Sequence, residues 1–199
     1  MIWYLGTHNS GTSSKLVWWQ RPFKYLLNLT SQCQSLSIEE QCKIGVKVFN
    51  FQVTLYNDNW VFSHGLCIYN YRFLDALAIL EKYASKDVPI YYQLYLDKNI
   101  FLGQKVDKFI ELVYMLNTTS SNVKMLNAWV EGTDFYPYES DIKLDLSEKY
   151  WTIQNTSGID KLPIPKVYAN KYNKKFIAEN KSEYLMLDFV NKKGYGSAW

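Results

Sequence analysis

Arginine is almost absent from this chain, which has only Arg21 and Arg72 among its 199 residues. The net charge of +3 is small, and the lysines are scattered along the sequence rather than clustered. A nucleic-acid partner needs a concentrated basic surface, so none is expected. Long apolar runs are also missing. The run Ile90–Leu96 is far too short to span a bilayer, which takes about 20 residues.

Cysteine is scarce and has no informative spacing. The three residues Cys33, Cys42 and Cys67 are an odd number without a metal-ligand pattern, so we expect reduced thiols. No basic and apolar leader precedes the first predicted strand. These features predict a protein that is not secreted by a signal peptide and that acts in the cytoplasm, or in the interior of a virus or host cell.

The apolar pattern alternates between strands and helices within one domain, residues 1–199. Strands are predicted at 2–5, 47–56, 60–62, 89–96, 125–130, 151–154 and 184–190, with Asn57-Asp58-Asn59 as a hairpin turn. Helices are predicted after a capping box at Ser37 and Glu40, at 71–85 and 104–116, and more weakly from 165 to 180. The segment between the first strand and Ser37 is predicted to be a loop. This alternation favours a parallel sheet with helices outside.

Histidine occurs only twice, as His8 and His64, and each follows a short apolar strand. Small or polar residues come next in both places and leave room for a ligand. Imidazole is suited to proton transfer near neutral pH, so the two residues suggest a paired acid and base. The alternative is that each is a structural histidine.

The surroundings of the two histidines carry a family resemblance. The sequence reads Leu-Gly-Thr-His-Asn-Ser-Gly-Thr at 5–12, Gln-Ser-Leu-Ser-Ile-Glu-Glu-Gln at 34–41, Gly-Val-Lys-Val-Phe-Asn-Phe-Gln-Val at 45–53 and Phe-Ser-His-Gly at 62–65. In order and spacing these segments resemble the X domain of phosphatidylinositol-specific phospholipase C. The strand at 184–190 resembles a late strand of that family that carries an aspartate. The resemblance implies an irregular, trimmed TIM-type α/β barrel, whose site forms at the C-terminal ends of the strands.

The resemblance also implies roles for three residues. His8 would be the general base on the inositol 2-hydroxyl, His64 would protonate the departing diacylglycerol oxygen, and Asp188 would orient His8. The predicted substrate-contacting residues are Asn9, Asn50, Gln52, Tyr95, Lys98 and Asn155.

The groups that stabilise charge in the family are replaced here. Bacterial members supply an arginine in the second strand, and eukaryotic members supply acids that hold calcium, but this chain has Asn50 and Gln52. With Asn9 these residues offer neutral oxygens only, a poor set for calcium, so no metal and no cofactor are predicted. Lys98 is either a substitute cation or a solvated lysine.

Two functions from different classes remain open. The first is a phospholipase C-like phosphodiesterase acting on phosphatidylinositol or a related phosphodiester. The second is a catalytically inactive barrel kept for binding or self-assembly, which the amide replacements favour. A glycerophosphodiester phosphodiesterase fits less well, because His8-Asn9 and Asn50-x-Gln52 lack its His-Arg and Glu-x-Asp motifs. Trp18 and Trp19 suit either a lipid surface or buried packing. The oligomeric state is not predicted.

Overall fold

A curled sheet organises the chain in the computed structural model, which describes residues 4–99, 101–119, 121–149 and 164–191. The strands are β1 Tyr4–Thr7, β2 Val46–Tyr56, β3 Asn59–His64, β4 Cys67–Arg72, β5 Ile90–Leu96, β6 Val123–Val130, β7 Tyr138–Glu139, β8 Leu146–Lys149 and β9 Tyr184–Leu187. The α-helices are α1 Lys24–Ser31, α2 Ile38–Lys43, α3 Phe73–Tyr83, α4 Val106–Asn117 and α5 Pro165–Glu179. Among these helices, none combines the length and the apolar character needed to cross a membrane.

The sheet is mainly parallel, as predicted. Its order is β7-β6-β5-β2-β1-β9-β8, and every neighbouring pair from β6 to β8 is parallel. Side chains from distant strands meet on its inner face, where Val48 of β2, Leu126 of β6 and Met186 of β9 form one cluster. A methyl group at Gly6 of β1 would lie 2.6 Å from Met186 Cγ, so the glycine leaves room for the Met186 side chain. The predicted irregular TIM-type barrel is confirmed as a curled half-barrel.

The long strand β2 separates the core from the barrel interior. Phe51 points outward, and its ring packs against Phe62 and Phe73 with centroids 5.3 and 5.7 Å apart. Burial of each such ring contributes about 1.5–3 kcal/mol to stability. Because side chains alternate along a strand, Asn50 and Gln52 turn to the other face. They lie there buried, towards the C-terminal ends of the parallel strands.

The predicted hairpin after β2 is present. Asn57 and Asp58 have φ angles of 47° and 57°, a left-handed pair that suits a two-residue hairpin turn. The turn leads into β3, which pairs antiparallel with β2 and ends at His64. The sequence analysis missed β4, which pairs with β3. Residues 71 and 72 belong to β4 rather than to a helix, and α3 therefore begins at Phe73.

The segment between β1 and Ser37 was wrongly predicted as a loop. It contains 3₁₀ helices at Ser10–Ser13 and Trp18–Phe23 and the helix α1. No side chain caps α1, so the usual sequence signal for a helix start is missing. Tertiary contacts hold the segment instead: the Gln20 side chain makes hydrogen bonds of 2.7 and 2.8 Å with the backbone at the start of β4.

Other predicted elements agree with the structure. The capping box of α2 is formed, since the Ser37 side chain accepts from the Glu40 amide and the Glu40 carboxylate accepts from the Ser37 amide. The helices α4 and α5 and the strands β5, β6 and β9 lie where predicted, within a few residues. The short strands β7 and β8 were missed. The strand predicted at 151–154 lies outside the described residues.

Candidate active site

His8 and Asp188 lie side by side because their strands do. β1 pairs in parallel with β9, with Thr7 opposite Leu187, so the next residue of each strand comes to the same end of the sheet. His8 Nδ1 is 2.9 Å from Asp188 Oδ1, and both residues are buried, with 8% and 1% of their surfaces exposed. A carboxylate in this position keeps the imidazole proton on Nδ1 and leaves Nε2 as the basic nitrogen.

Gln34 fixes the ends of these two strands. Its side-chain amide donates to the backbone carbonyls of His8 and Leu187, at 3.0 and 2.9 Å, and its carbonyl accepts from the amide of Val190 at 3.3 Å. The side chain is fully buried. Gln34 opens the second segment of the family resemblance, and in the structure it acts through the backbone on the geometry of His8 and Asp188.

Asn9 contacts the other nitrogen of His8. The residue adopts a left-handed conformation with φ 44°, which asparagine tolerates better than most residues. Its Nδ2 lies 3.1 Å from His8 Nε2, and its Oδ1 accepts a 2.8 Å hydrogen bond from the Tyr95 hydroxyl. The Tyr95 contact orients the amide so that its nitrogen faces the imidazole. Nε2 of His8 is therefore an acceptor, in agreement with a proton on Nδ1.

The ring of His64 lies beside the ring of His8. The ring centroids are 6.1 Å apart and the rings are nearly perpendicular, at 83°. His64 Nδ1 donates to the carbonyl oxygen of Ser31, 2.7 Å away. Nε2 is therefore the ring nitrogen that can exchange a proton with a substrate. Burial, together with the nearby His8, lowers the pKa of His64 from its ordinary value of 6.5. The His64 side chain is nevertheless only half-buried, so solvent reaches part of it.

Two of the amides predicted to contact substrate also make hydrogen bonds within the protein. Asn50 donates to Gln93 at 3.2 Å. Gln52 Nε2 donates to Asp97 Oδ1 at 2.9 Å and to Glu131 Oε2 at 3.0 Å. The oxygen of the Tyr95 hydroxyl lies 3.1 Å from Gln52 Oε1, and its one proton is directed to the closer Asn9 Oδ1. The nitrogen of the Gln52 amide therefore has two acidic partners.

Asp97 and Glu131 were not predicted as site residues. They follow β5 and β6, which are parallel neighbours with Leu96 opposite Val130, and both accept from Gln52. Burial raises the pKa of Asp97 to about 8, and the carboxylate of Glu131 adds to the effect. At neutral pH Asp97 thus tends to keep its proton. The only sequence signal for Asp97 and Glu131 was an acidic residue directly after a buried strand.

Cys33 is a further residue that the sequence did not indicate. Its sulfur is fully buried, 3.6 Å from His64 Nδ1 and 3.9 Å from Asn9 Nδ2. Burial raises the pKa of this thiol well above its ordinary value, and the negative charge of Asp188 raises it further. The group is therefore a thiol rather than a thiolate at neutral pH. It precedes Gln34 and lies in no recognised motif.

Among the residues that the structure describes, no contact links Lys98 to either histidine. Lys98 is exposed, and a methyl group at Gly132 would lie 3.8 Å from its Nζ, which places the ammonium beside the turn after β6. Only the backbone amide of Lys98 contacts the acidic pair, donating to Glu131 at 2.9 Å. Asn155 lies outside the described residues.

The two tryptophans proposed for a lipid surface differ in their surroundings. Trp18 is 73% exposed. Trp19 is half-buried and packs edge-on against Phe101, with ring centroids 5.3 Å apart. Phe23, Tyr25 and Leu26, which follow Trp18 in the chain, are exposed as well. The sequence could not distinguish the two adjacent tryptophans.

Comparison by sequence finds no family model and no curated protein that matches the chain. Comparison of structures does find matches. Phosphatidylinositol-specific phospholipase C from Staphylococcus aureus has a TM-score of 0.61 and 14% identity, covering 94% of this chain and 86% of that one. The phosphatidylinositol-specific phospholipase C from Listeria monocytogenes has a TM-score of 0.58 and 13% identity, covering 98% and 90%. The chain therefore has the fold of the bacterial phosphatidylinositol-specific phospholipases C.

Proposed function

We propose that the chain is a phosphodiesterase of the phospholipase C type that uses His8 and His64 as its acid–base pair. The observation that carries the proposal is the alignment of Asp188, His8 and His64, with a carboxylate on one side of His8 and the second imidazole 6.1 Å away. Two imidazoles at this separation are close enough to reach one phosphate group through hydrogen bonds of about 3 Å.

The reaction follows from the two nitrogens that face the pocket. Neutral His8 removes the proton from a hydroxyl next to the phosphodiester, and the hydroxyl oxygen forms a bond to phosphorus. The bond from phosphorus to the leaving oxygen breaks, and protonated His64 gives that oxygen its proton. A cyclic phosphate and an alcohol result. Asp188 stabilises the imidazolium that forms on His8.

The substrate proposed is phosphatidylinositol or a related phosphodiester with a neighbouring hydroxyl. Support comes from the fold, which is shared with enzymes specific for phosphatidylinositol, and from the motifs around His8 and His64. Trp18 is exposed, as are Phe23 and Tyr25 a few residues further along the chain, and exposed aromatic side chains are suited to a lipid–water interface. The phosphatidylinositol-specific phospholipase C of Staphylococcus aureus, at 13% identity, itself binds membranes.

Turnover is expected to be slow. The pocket presents amides and carboxyl groups where the family resemblance implies an arginine or calcium, and loss of such a charge stabiliser typically lowers the rate by about 100- to 1,000-fold. Positive charge on His64 itself is the remaining electrostatic aid, and its lowered pKa limits that charge at neutral pH.

A second function has one specific observation in its favour. Gln52, at the position of the missing charge, donates to both Asp97 and Glu131, so acidic groups lie where a phosphate would need positive charge. An inactive barrel retained for binding or self-assembly would tolerate this arrangement. The aligned Asp188, His8 and His64 set has no role in that alternative, which is why we favour catalysis.

The compartment is also a proposal. Cys33, Cys42 and Cys67 are free and buried, as is common in proteins from reducing surroundings. We place the activity in the cytoplasm, or inside a virus or host cell.

The test is an assay of water-soluble phosphate released from phosphatidylinositol vesicles by the purified chain. Parallel reactions contain calcium or a chelator, and His8→Ala serves as the control. Release that needs His8 and survives the chelator supports the phosphodiesterase. Equal background release from both proteins would leave the inactive barrel as the better proposal.

A further inference from the structure

A groove of about 540 Å³ lies between the helices α1 and α5, and Phe189, the residue after Asp188, is part of its lining. Its volume is in the range of small-molecule sites, about 300–1,000 Å³. No step of the proposed reaction uses this α1–α5 groove. We infer that it binds a single-chain anionic amphiphile of the fatty-acid class.

Each helix presents one face to the groove. Residues 24, 25, 28 and 29 of α1 line it, and this spacing places them on one side of the helix. Residues 166, 167 and 170 of α5 have the same kind of spacing. The apolar side chains among them are Tyr25, Leu29 and Val167, and all three are exposed. The two helices therefore leave an apolar strip in contact with solvent, which is typical of a ligand-binding groove.

The charges of the groove favour an anionic head group. Lys24 belongs to α1 and Lys166 to α5, so each wall carries one ammonium group. Among the described residues that line the groove, none is acidic. The helix dipole adds to the positive charge at Lys166, which lies in the first turn of α5. A carboxylate is attracted by both ammonium groups, while an alkyl chain covers the apolar strip.

The size of the groove favours an alkyl chain over a helix of a partner protein. A helix with its side chains is about 10–12 Å wide, so about one turn of it would fill this volume. One turn presents too few apolar side chains for stable docking. An alkyl chain is narrower and buries most of its length in the same space.

The two helices also hold groups of the histidine pocket. The carbonyl of Ser31, the last residue of α1, accepts from His64 Nδ1 at 2.7 Å. On α5, the side chain of Asn173 donates to the backbone carbonyl of Asp188 at 2.8 Å. A ligand that changes the separation of α1 and α5 therefore moves groups that position His64 and Asp188. This link is geometric and does not depend on whether the chain is an enzyme.

The experiment titrates the purified chain with sodium decanoate, below its micelle concentration, by isothermal titration calorimetry. One equivalent should bind. Octanoate, two methylene groups shorter, should bind about 15-fold more weakly, since each buried methylene changes the affinity about fourfold. The neutral 1-decanol has the same chain length and should bind about fivefold more weakly or less tightly still, because it lacks the charge that the two lysines attract.

Two variants test the two parts of the groove. Val167→Asp places a carboxylate in the apolar strip and should weaken decanoate binding more than tenfold. Ile110→Asp, at an exposed apolar position of α4 outside the groove, is its matched control. Lys24→Gln combined with Lys166→Gln should reduce the affinity for decanoate to that for 1-decanol. Lys174→Gln, an exposed lysine of α5 that does not line the groove, is the control for charge.

The histidines give a second readout, because the chain has only two. Saturating decanoate should shift at least one imidazole proton signal in the NMR spectrum of the wild-type chain and none in Val167→Asp. Unshifted signals at saturation would overturn the link between the groove and the histidine pocket.

The inference itself is overturned if decanoate does not bind, or if 1-decanol binds as tightly. It is also overturned if folded Val167→Asp binds decanoate like the wild-type chain. Circular dichroism checks the folding of each variant. Should Val167→Asp not fold, the double lysine variant decides, and unchanged decanoate affinity in that variant would equally overturn the inference.

Discussion

Asp188 Oδ1 lies 2.9 Å from His8 Nδ1, although the two residues are 180 positions apart in the chain. The pair forms because β1 and β9 are parallel neighbours whose ends coincide. The contact fixes which nitrogen of His8 carries the proton, and so which nitrogen meets a substrate.

Replacing Asp188 should reveal whether this orientation matters for catalysis. Asp188→Asn removes the charge that holds the Nδ1 proton, and kcat is expected to fall by about 10³- to 10⁴-fold. Asp145→Asn, an exposed carboxylate bonded to the backbone of Glu183, should change kcat little. Thermal melting checks that both variants are folded. A loss of less than tenfold in folded Asp188→Asn would show that the pair is structural.

The pH dependence should reflect the state of His64. The acid must be protonated, and burial lowers its pKa below 6.5. The value of kcat/KM, which reports the free enzyme, should therefore decline as pH rises through a midpoint below 6.5. His64→Gln should remove this decline and lower the maximum. A midpoint at pH 7.5 or above, or an unchanged profile in His64→Gln, would argue against His64 as the acid.

Restoring a positive charge should increase the rate. Gln52→Arg places a guanidinium where Asp97 and Glu131 already accept from the Gln52 amide, so both acids can hold it. A preorganised cation at the phosphate stabilises the transition state by about 3–4 kcal/mol, or roughly 100- to 1,000-fold in kcat.

Gln52→Met, of similar size but without charge, is the control for this substitution and should give no gain. If Gln52→Arg folds, binds phosphatidylinositol vesicles and still shows no increase in kcat, the missing charge is not what limits turnover.

The adjacent tryptophans should behave differently. Trp18→Ala should weaken sedimentation with vesicles of phosphatidylcholine and phosphatidylinositol without changing the melting temperature, because its ring is 73% exposed. Trp19→Ala should destabilise the fold by about 1–3 kcal/mol, because its ring packs on Phe101. Tyr114→Ala, an equally exposed aromatic on α4, is the control. Equal vesicle binding by Trp18→Ala and Tyr114→Ala would exclude Trp18 as a lipid contact.

Local and periodic signals in the sequence predicted a good part of the fold. The capping box at Ser37, the left-handed turn at Asn57 and the alternation of β2 each depend on neighbours in the chain, and each is present. The order of strands and helices, with the family resemblance, implied that His8 and Asp188 lie at the C-terminal ends of strands. β1 and β9 are parallel neighbours, and the two side chains are in contact there.

Features that depend on the curl of the sheet could not be read from the sequence. Asp97 and Glu131 come together because β5 and β6 pair with each other and end at the same level. Cys33 reaches His64 through a segment predicted to be a loop. That segment is held by tertiary contacts of residues such as Gln20, which leave no local pattern. The direction of the Lys98 side chain was equally undetermined.

The most direct test is phosphorus NMR of the soluble product that the wild-type chain releases from phosphatidylinositol. Attack by the neighbouring hydroxyl, with His8 as base and His64 as acid, should give a five-membered cyclic phosphate. His8→Ala and His64→Ala, folded by thermal melting, should give none in the same time. No soluble phosphate from the wild-type chain, or the same product from folded His8→Ala, would contradict catalysis by the two histidines.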